Sequence, residues 1–322
     1  MRVLITGMAG FVGSYLAELC ASKGCEVHGI ERPDADKRRL KALGAGLNFH
    51  DADLADYDEI IRILNRIRPD RIFHLAAQSF VPLSWKAPQA TFQSNVVGQA
   101  NLFEAIREIG ISPLVHVAGS SEEYGMVHEN EIPIREENPL RPLSPYAVSK
   151  VAQDLMGYQY FMTLGLKTFR TRAFNHTGPR RNEQFVLSNF SRQIALIEAG
   201  IQEPVIRTGN LDVIRDFSDV RDVVRAYWML LEKGAPGEVY NISSGIGRRL
   251  GDVLEMLLGR TKTKVRVEKD AERLRRNDLP RIVGDSTKFR KATGWKPEIP
   301  FEKTLEDLLA YWRGVVMAKE NV

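Results

Sequence analysis

Val3-Leu4-Ile5-Thr6-Gly7-Met8-Ala9-Gly10-Phe11-Val12-Gly13 is the stretch that decides the architecture of this chain. A short apolar run ends in glycines spaced Gly7-x-x-Gly10-x-x-Gly13, and a helical pattern follows from about Phe11 to Ser22. Strand, tight turn and helix in that order turn a glycine pattern into a diphosphate site. The glycines let the backbone approach the ligand closely, and the helix N-terminus offers unpaired amides to phosphate oxygens. Without that context the same glycines would serve only to make a tight strand–helix turn.

Working outward, the first half alternates short apolar runs with amphipathic stretches. Strands are expected at Glu26–Ile30, Leu47–His50, Arg71–Leu75 and Leu114–Val117, with helices at Tyr57–Ile67 and Gln89–Ile109 between them. Such alternation implies a parallel, doubly wound sheet. A helix over Tyr146–Leu164 and a strand over Lys167–Arg172 follow, then a loop rich in Pro and Arg from Asn175 to Glu183. The expected fold is α/β: a Rossmann lobe over residues 1–174 and a smaller, interleaved C-terminal α/β substrate lobe over 175–322. A return to the first lobe is expected around residues 210–245, where Val239-Tyr240-Asn241-Ile242 reads as a further strand.

Bulk properties narrow the function. The 322 residues suffice for a large core. With 45 basic and 41 acidic residues the net charge is only +4, too balanced to argue for nucleic acid. Cys20 and Cys25 lack a His-rich neighbourhood, so a reduced thiol pair is expected and no metal site. No apolar run reaches the ~18 residues of a bilayer span, and no charged-then-apolar leader precedes the first strand. The expectation is a soluble, cytoplasmic protein.

The chemistry is carried by Tyr146-Ala147-Val148-Ser149-Lys150 together with Ser120. Tyr and Lys four apart share one face of a helix. An ammonium there favours tyrosinate and reaches a ribose hydroxyl, so the pair can move a proton during hydride transfer. Alone, this spacing is common on helices; beside a dinucleotide loop it points to a nicotinamide enzyme. Glu31, at the end of the second strand, suits the adenosine ribose hydroxyls and favours NAD over NADP. Arg32 beside it would instead welcome a 2′-phosphate, so the two residues pull in opposite directions.

Across nearly the whole chain these motifs resemble the extended short-chain dehydrogenase/reductase superfamily, in its nucleotide-sugar epimerase/dehydratase branch. The resemblance implies that Gly7, Gly10, Phe11, Val12, Gly13, Glu31, Arg32, Asp53, Leu54, Leu75, Ala76, Ala77, Tyr146 and Lys150 bind NAD(P). It implies that Asn95 supports the active-site helix, and that Gln78 and Ser79 face the substrate. In Ser120-Ser121-Glu122-Glu123-Tyr124-Gly125 it gives Ser120 a hydrogen bond to the sugar oxygen being oxidised. Tyr146 becomes the acid/base, tuned by Lys150.

Glu122 takes the position of the base in sugar-nucleotide 4,6-dehydratases, although paired glutamates also suit a solvated strand end. Asn175-His176-Thr177-Gly178-Pro179-Arg180-Arg181, Arg215-Asp216 and Leu274-Arg275-Arg276-Asn277-Asp278 are similar to segments of GDP-mannose 4,6-dehydratases. By that likeness Asn175, Arg180, Asn189, Arg215, Arg275 and Asp278 bind a GDP-sugar, with guanidinium forks on phosphate oxygens.

Departures exist. Ser120 replaces the usual Thr, and Ser188-Asn189 replaces a basic pair. Gln193 through Asn210, Ser243-Ser244-Gly245-Ile246-Gly247 and Thr293-Gly294-Trp295-Lys296-Pro297 resemble GDP-4-keto-6-deoxy-mannose reductases at least as closely. A dehydratase is therefore expected, with the reductase as the alternative. A catalytically silent dinucleotide-binding regulator would carry the same loop, but the intact Ser120, Tyr146 and Lys150 argue against it. The family pairs the helices near Gln89–Ile109 and Tyr146–Leu164 across a two-fold axis, which implies a homodimer or a dimer of dimers.

Overall fold

The structure, a computed structural model, describes residues 1–41, 46–274 and 279–320. Its first part runs β1 (Arg2–Thr6), α1 (Phe11–Ser22), β2 (Glu26–Glu31), α2 (Arg38–Lys41), β3 (Leu47–Asp51), α3 (Tyr57–Ile67) and β4 (Arg71–His74). Then come α4 (Val81–Lys86), α5 (Pro88–Phe92), a π-helical turn Gln93–Val97, α6 (Gly98–Glu108), β5 (Leu114–Ser120), α7 (Pro145–Leu164) and β6 (Thr168–Ala173). The remainder runs β7 (Asn175–Thr177), α8 (Val186–Glu198), β8 (Val205–Thr208), β9 (Ile214–Asp219), α9 (Val220–Lys233) and β10 (Val239–Ile242). It closes with β11 (Gly247–Arg249), α10 (Leu250–Leu258), β12 (Arg266–Lys269), β13 (Arg281–Ile282), α11 (Thr287–Thr293) and α12 (Phe301–Glu320).

Seven strands form the main sheet in the order β10-β6-β5-β4-β1-β2-β3, and every pairing is parallel. Strands covered on both faces need continuous apolar runs, and Val3, Leu4 and Ile5 are wholly buried. The order reverses between β1 and β4. Crevices at such reversals, outside the carboxyl ends of the strands, are where ligands bind in these sheets. Two loops therefore meet there: the glycine loop after β1 and Leu75–Ser79 after β4.

Helix ends follow local chemistry. Asp56 caps α3 by accepting the Glu59 N–H at 3.1 Å, and Ile60, Ile63, Leu64 and Ile67 bury its apolar face. Ser144 caps α7 by accepting the Ala147 N–H at 3.1 Å, with Pro145 in the first turn and Gly165 (φ 70°) ending the helix. The helix expected over Gln89–Ile109 is present as one continuous run from Pro88 to Glu108, with a π turn at Gln93–Val97 inside it. Pro88 opens α5, and the π turn places an extra residue at Asn95.

The main core includes side chains from α9, β10 and α11, together with Trp295, so the later chain packs against α1 and the sheet. A second core joins α8, α10 and α12 through Leu187, Phe190, Leu254, Leu305 and Leu308. Trp312 Nε1 donates to Ser188 Oγ there at 2.9 Å, satisfying a buried donor within an apolar cluster. The Ser243–Gly247 turn is held by buried Asp216, which accepts the Ser244 and Gly245 amides at 2.9 Å each and the Gly284 amide at 3.2 Å.

Candidate active site

The glycine loop is a cradle that side chains would fill. Gly7 has φ +74°, and a Cβ there would lie 3.0 Å from the Ala76 backbone, pressing the two crevice loops apart. A Cβ on Gly13 would overlap the Gly7 carbonyl oxygen. Gly10 caps α1 without a side-chain acceptor, which leaves the first-turn amides at Phe11, Val12 and Gly13 for an anion.

Glu31 is only 6% exposed and turns into this loop, where its Oε1 accepts the Ala9 N–H at 2.6 Å. Burial pushes its carboxyl up to about 7, against the lowering effect of that hydrogen bond. Arg32 points outward and pairs with Asp34 at 3.4 Å. Asp53 is exposed and accepts the Ala55 amide at 2.9 Å, while Leu54 is buried against Gly98.

The raised Glu31 value has a sign. Folding favours its neutral form, so its contribution to stability is full below the ordinary carboxyl value and is lost as pH rises through about 7. Glu31→Gln in the cofactor-free protein should therefore melt higher than wild type at pH 8, by on the order of 3 kcal/mol. The difference should vanish near pH 4, and parallel melting curves across that range would refute this account.

The second crevice loop is tied to the catalytic helix. Asn95, fully buried, accepts the Gln78 amide at 2.7 Å and donates to Gln78 O at 3.1 Å and Ser149 Oγ at 2.9 Å. Leu75, Ala76 and Ala77 are half-buried, and the Leu75 amide donates to Thr6 O at 3.2 Å. The Gln78 side chain bonds Thr91 and the Phe80 amide, and Ser79 is exposed.

Ser120, Tyr146 and Lys150 converge beside this loop. Ser120 caps the 3₁₀ turn Ser121–Glu123, with Oγ accepting the Glu122 N–H at 3.2 Å. Tyr146 is buried, its hydroxyl hydrogen-bonded to Ser120. Burial raises its pKa well above the usual phenol value; the Ser120 bond and the Arg181 charge oppose this, while the Glu122 and Glu123 charges add to it. Lys150 is lowered to about 8 by burial, and its Nζ donates to Ala118 O at 2.8 Å.

The Pro/Arg loop divides its two arginines. Arg180 (φ 70°) pairs with Glu18 at 2.8 and 2.9 Å and lies 3.7 Å from the Tyr15 ring centroid, so its charge is already committed to α1. Arg181 instead lies over the rings of Phe185 (3.4 Å) and Phe11 (4.8 Å), at the mouth of the glycine loop. Burial lowers it to about 9, partly offset by Tyr146, and its Nε has no hydrogen-bond partner among the described residues. His176 stacks on Phe11 at 6.2 Å and 3°. Neither Arg181 nor His176 stands out in the sequence, where they are neighbours of the quoted Asn175 and Arg180.

Of the remaining substrate candidates, Asn175 is half-buried on β7. Asn189 donates to Glu183 O at 3.1 Å and accepts from Arg273 at 2.9 Å. Arg215 donates to Leu279 O at 2.7 Å. Arg275 and Asp278 lie outside the described residues. Among the described residues no group of three or more His, Cys, Asp or Glu is placed to hold a metal ion.

A glycine cradle at the switch point of a parallel sheet, with Ser120 hydrogen-bonded to Tyr146 and Lys150 one helical turn on, belongs to an NAD(P)-dependent enzyme of the extended short-chain dehydrogenase/reductase class. The profile of the family described as GDP-mannose 4,6 dehydratase matches residues 4–308, and the chain belongs to that family. It is 34% identical to GDP-6-deoxy-D-mannose reductase of Pseudomonas aeruginosa, over 98% of both chains. It is 32% identical to GDP-mannose 4,6-dehydratase of Vibrio cholerae, over 95% of this chain and 92% of that one. Among solved structures, RMD from Pseudomonas aeruginosa complexed with NADPH superposes with TM-score 0.86 at 33% identity, covering 98% of this chain and 99% of that one. A Thermus thermophilus UDP-glucose 4-epimerase in complex with NAD gives TM-score 0.86 at 30% identity, covering 98% and 99%.

Proposed function

We propose that this protein is a GDP-mannose 4,6-dehydratase, producing the GDP-4-keto-6-deoxy sugar by internal redox. The observation that carries the reading is Glu122: it is half-buried in the turn that Ser120 caps, and its charge is felt at the Tyr146 phenol. Bound NAD(P) would lie in the glycine cradle with Arg181 and His176 over Phe11, and it supplies a hydride acceptor for C4 and a hydride donor for C6. Glu31 in the loop favours NAD. The chain's own residues handle the protons. Ser120 orients the 4-hydroxyl, and Tyr146, in the phenolate form that the Lys150 ammonium stabilises, takes its proton and becomes the neutral phenol as hydride leaves C4. The resulting ketone acidifies C5–H, so Glu122 can remove that proton and hand it to the departing 6-hydroxyl, which leaves as water; when hydride is returned to C6, the Tyr146 phenol gives its proton to C5 and is restored as phenolate.

The reductase reading is favoured by a different observation. The Pseudomonas aeruginosa reductase aligns over 98% of both chains, and a high-pKa phenol suits protonation of a ketone oxygen during reduction at C4. Incubation with GDP-mannose and catalytic NAD or NADP, followed by mass spectrometry, separates the two. Loss of one water without net cofactor reduction supports the dehydratase. No change with GDP-mannose, but NAD(P)H oxidation on adding the 4-keto-6-deoxy sugar, makes it the reductase.

The assembly we infer is a homodimer through α7. Val148 (41% exposed), Leu155 (53%), Tyr158 (45%) and Met162 (60%) form an apolar stripe at helical spacing, facing outward. A second copy of the same helix would cover it around a two-fold axis. Leu155→Arg combined with Met162→Glu should convert the protein to monomer in light scattering at micromolar concentration. A wild-type monomer under those conditions would rule the dimer out. Among the described residues no helix is long and apolar enough to cross a membrane. The cytoplasm is the location we propose, with Cys20 and Cys25 as free thiols.

A further inference from the structure

We propose that Glu123 is a positioning residue: it holds Ser120 against Tyr146 through a buried bridge anchored on the catalytic helix. The inference rests on the roles of Ser120 and Tyr146 proposed above. Glu123 is wholly buried, and its Oε1 accepts the Ser120 N–H at 2.7 Å. Together with the Glu122 N–H donated to Ser120 Oγ at 3.2 Å, this fixes both the backbone and the hydroxyl of Ser120. The other oxygen, Oε2, accepts Arg172 Nε–H at 3.2 Å.

Arg172 in turn donates through Nε to Asp154 Oδ2 at 2.7 Å and pairs with it through Nη2 at 2.6 Å. Asp154 sits on α7 one turn beyond Lys150. The bridge therefore runs from the end of β5, through β6, to the helix that carries Tyr146 and Lys150. Arg170 pairs with the second Asp154 oxygen, so the anchor is held from two sides.

A core-filling role does not account for this arrangement. An apolar side chain would occupy the same space without the cost of burying a carboxylate. The backbone is also shaped around the acid: a Cβ on Gly119 would overlap Glu123 Oε1 and the Thr171 carbonyl oxygen. A buried hydrogen bond with both partners fixed is strong and directional, which suits a residue that must hold a reacting hydroxyl in register. Displacing a catalytic group by about 1 Å can cost on the order of 10²-fold in rate.

The test compares three substitutions. Glu123→Asp keeps a buried carboxylate but withdraws it from the Ser120 amide, Glu123→Leu removes the acceptor, and Glu123→Gln keeps an acceptor oxygen at full length. Asp and Leu should lower kcat at least about tenfold while KM and cofactor affinity stay within about twofold, and Gln should stay within about threefold of wild type. In a Ser120→Ala background, Glu123→Asp should cost less than about twofold more, because its effect passes through Ser120. In cofactor-free protein, the Ser120 amide resonance should move upfield in Glu123→Asp as its carboxylate bond is lost.

A Glu123→Asp enzyme within twofold of wild-type kcat, or effects of Ser120→Ala and Glu123→Asp that simply multiply, would overturn the proposal. If Glu123→Leu does not fold, the Asp and Gln variants decide alone. Wild-type inactivity on both GDP-sugars overturns the functional reading instead; the amide resonance, which needs no substrate, then decides the bridge, and an unmoved Ser120 signal refutes it.

Discussion

Tyr146→Phe should lower kcat by roughly 10²–10⁴-fold, the contribution expected of a positioned acid/base group, while leaving cofactor affinity nearly unchanged. The phenol is the buried proton donor bonded to Ser120, with Lys150 following one helical turn later. Phe keeps the ring and its packing and removes only the hydroxyl. Ser120 Oγ retains its bond from the Glu122 amide, so the turn that carries it survives. The other residues proposed to hold NAD(P), those of the glycine loop and Lys150, are left unchanged by the substitution. The measurement is steady-state turnover of the GDP-sugar beside a titration of NAD(P). Turnover within tenfold of wild type would sink the assignment of Tyr146. Loss of both turnover and cofactor binding would show a disturbed helix rather than a missing proton.

Arg172→Leu should be the most destabilising single substitution among those considered, by roughly 3–5 kcal/mol, because it strands buried carboxylates. Glu123 and Asp154 are both buried and share this guanidinium. Burial alone would push the Asp154 carboxyl up, and the Arg172 and Arg170 charges, with hydrogen bonds from Glu123 and Arg172, more than cancel that effect. Removing Arg172 also takes a donor from the Glu136 carbonyl and from the Tyr124 hydroxyl, which accept from its Nη1 at 3.1 and 3.2 Å, although Tyr124 keeps its bond to Asn241 Oδ1. Chemical denaturation at pH 7 measures the loss. A triple substitution that also replaces Glu123 and Asp154 by apolar residues should recover much of the stability but not the turnover, since the Ser120 amide stays unanchored. A single Arg172→Leu variant as stable as wild type would mean that the cluster is solvated in solution.

The parallel sheet, the glycine cradle and the acid/base pair were legible in the chain because each depends on residues close together in it. The α1 and α3 ranges coincide with the expected helices, and the strands differ only at their ends. Glycine spacing, capping by Ser144 and Pro145, and the Tyr–Lys interval are all set within about one helical turn. The long helix expected after Gln89 was not so local. Its π turn at Asn95 is explained by the bonds that side chain makes to Gln78 and Ser149, on other segments.

What the sequence by itself determined, then, is the order of strands and helices and the residues that flank the crevice. Short-range sterics and periodic burial specify those without knowledge of the whole. Only the tertiary structure decided which way charged side chains turn. It set Glu31 into the glycine loop, committed Arg180 to Glu18 while leaving Arg181 over Phe11, and turned Glu123 inward toward Arg172 while leaving Glu122 half-buried. Adjacent residues of one type are indistinguishable in a linear chain. They separate when distant segments supply, for one of each pair, the opposite charge or the buried donor that offsets the cost of leaving water.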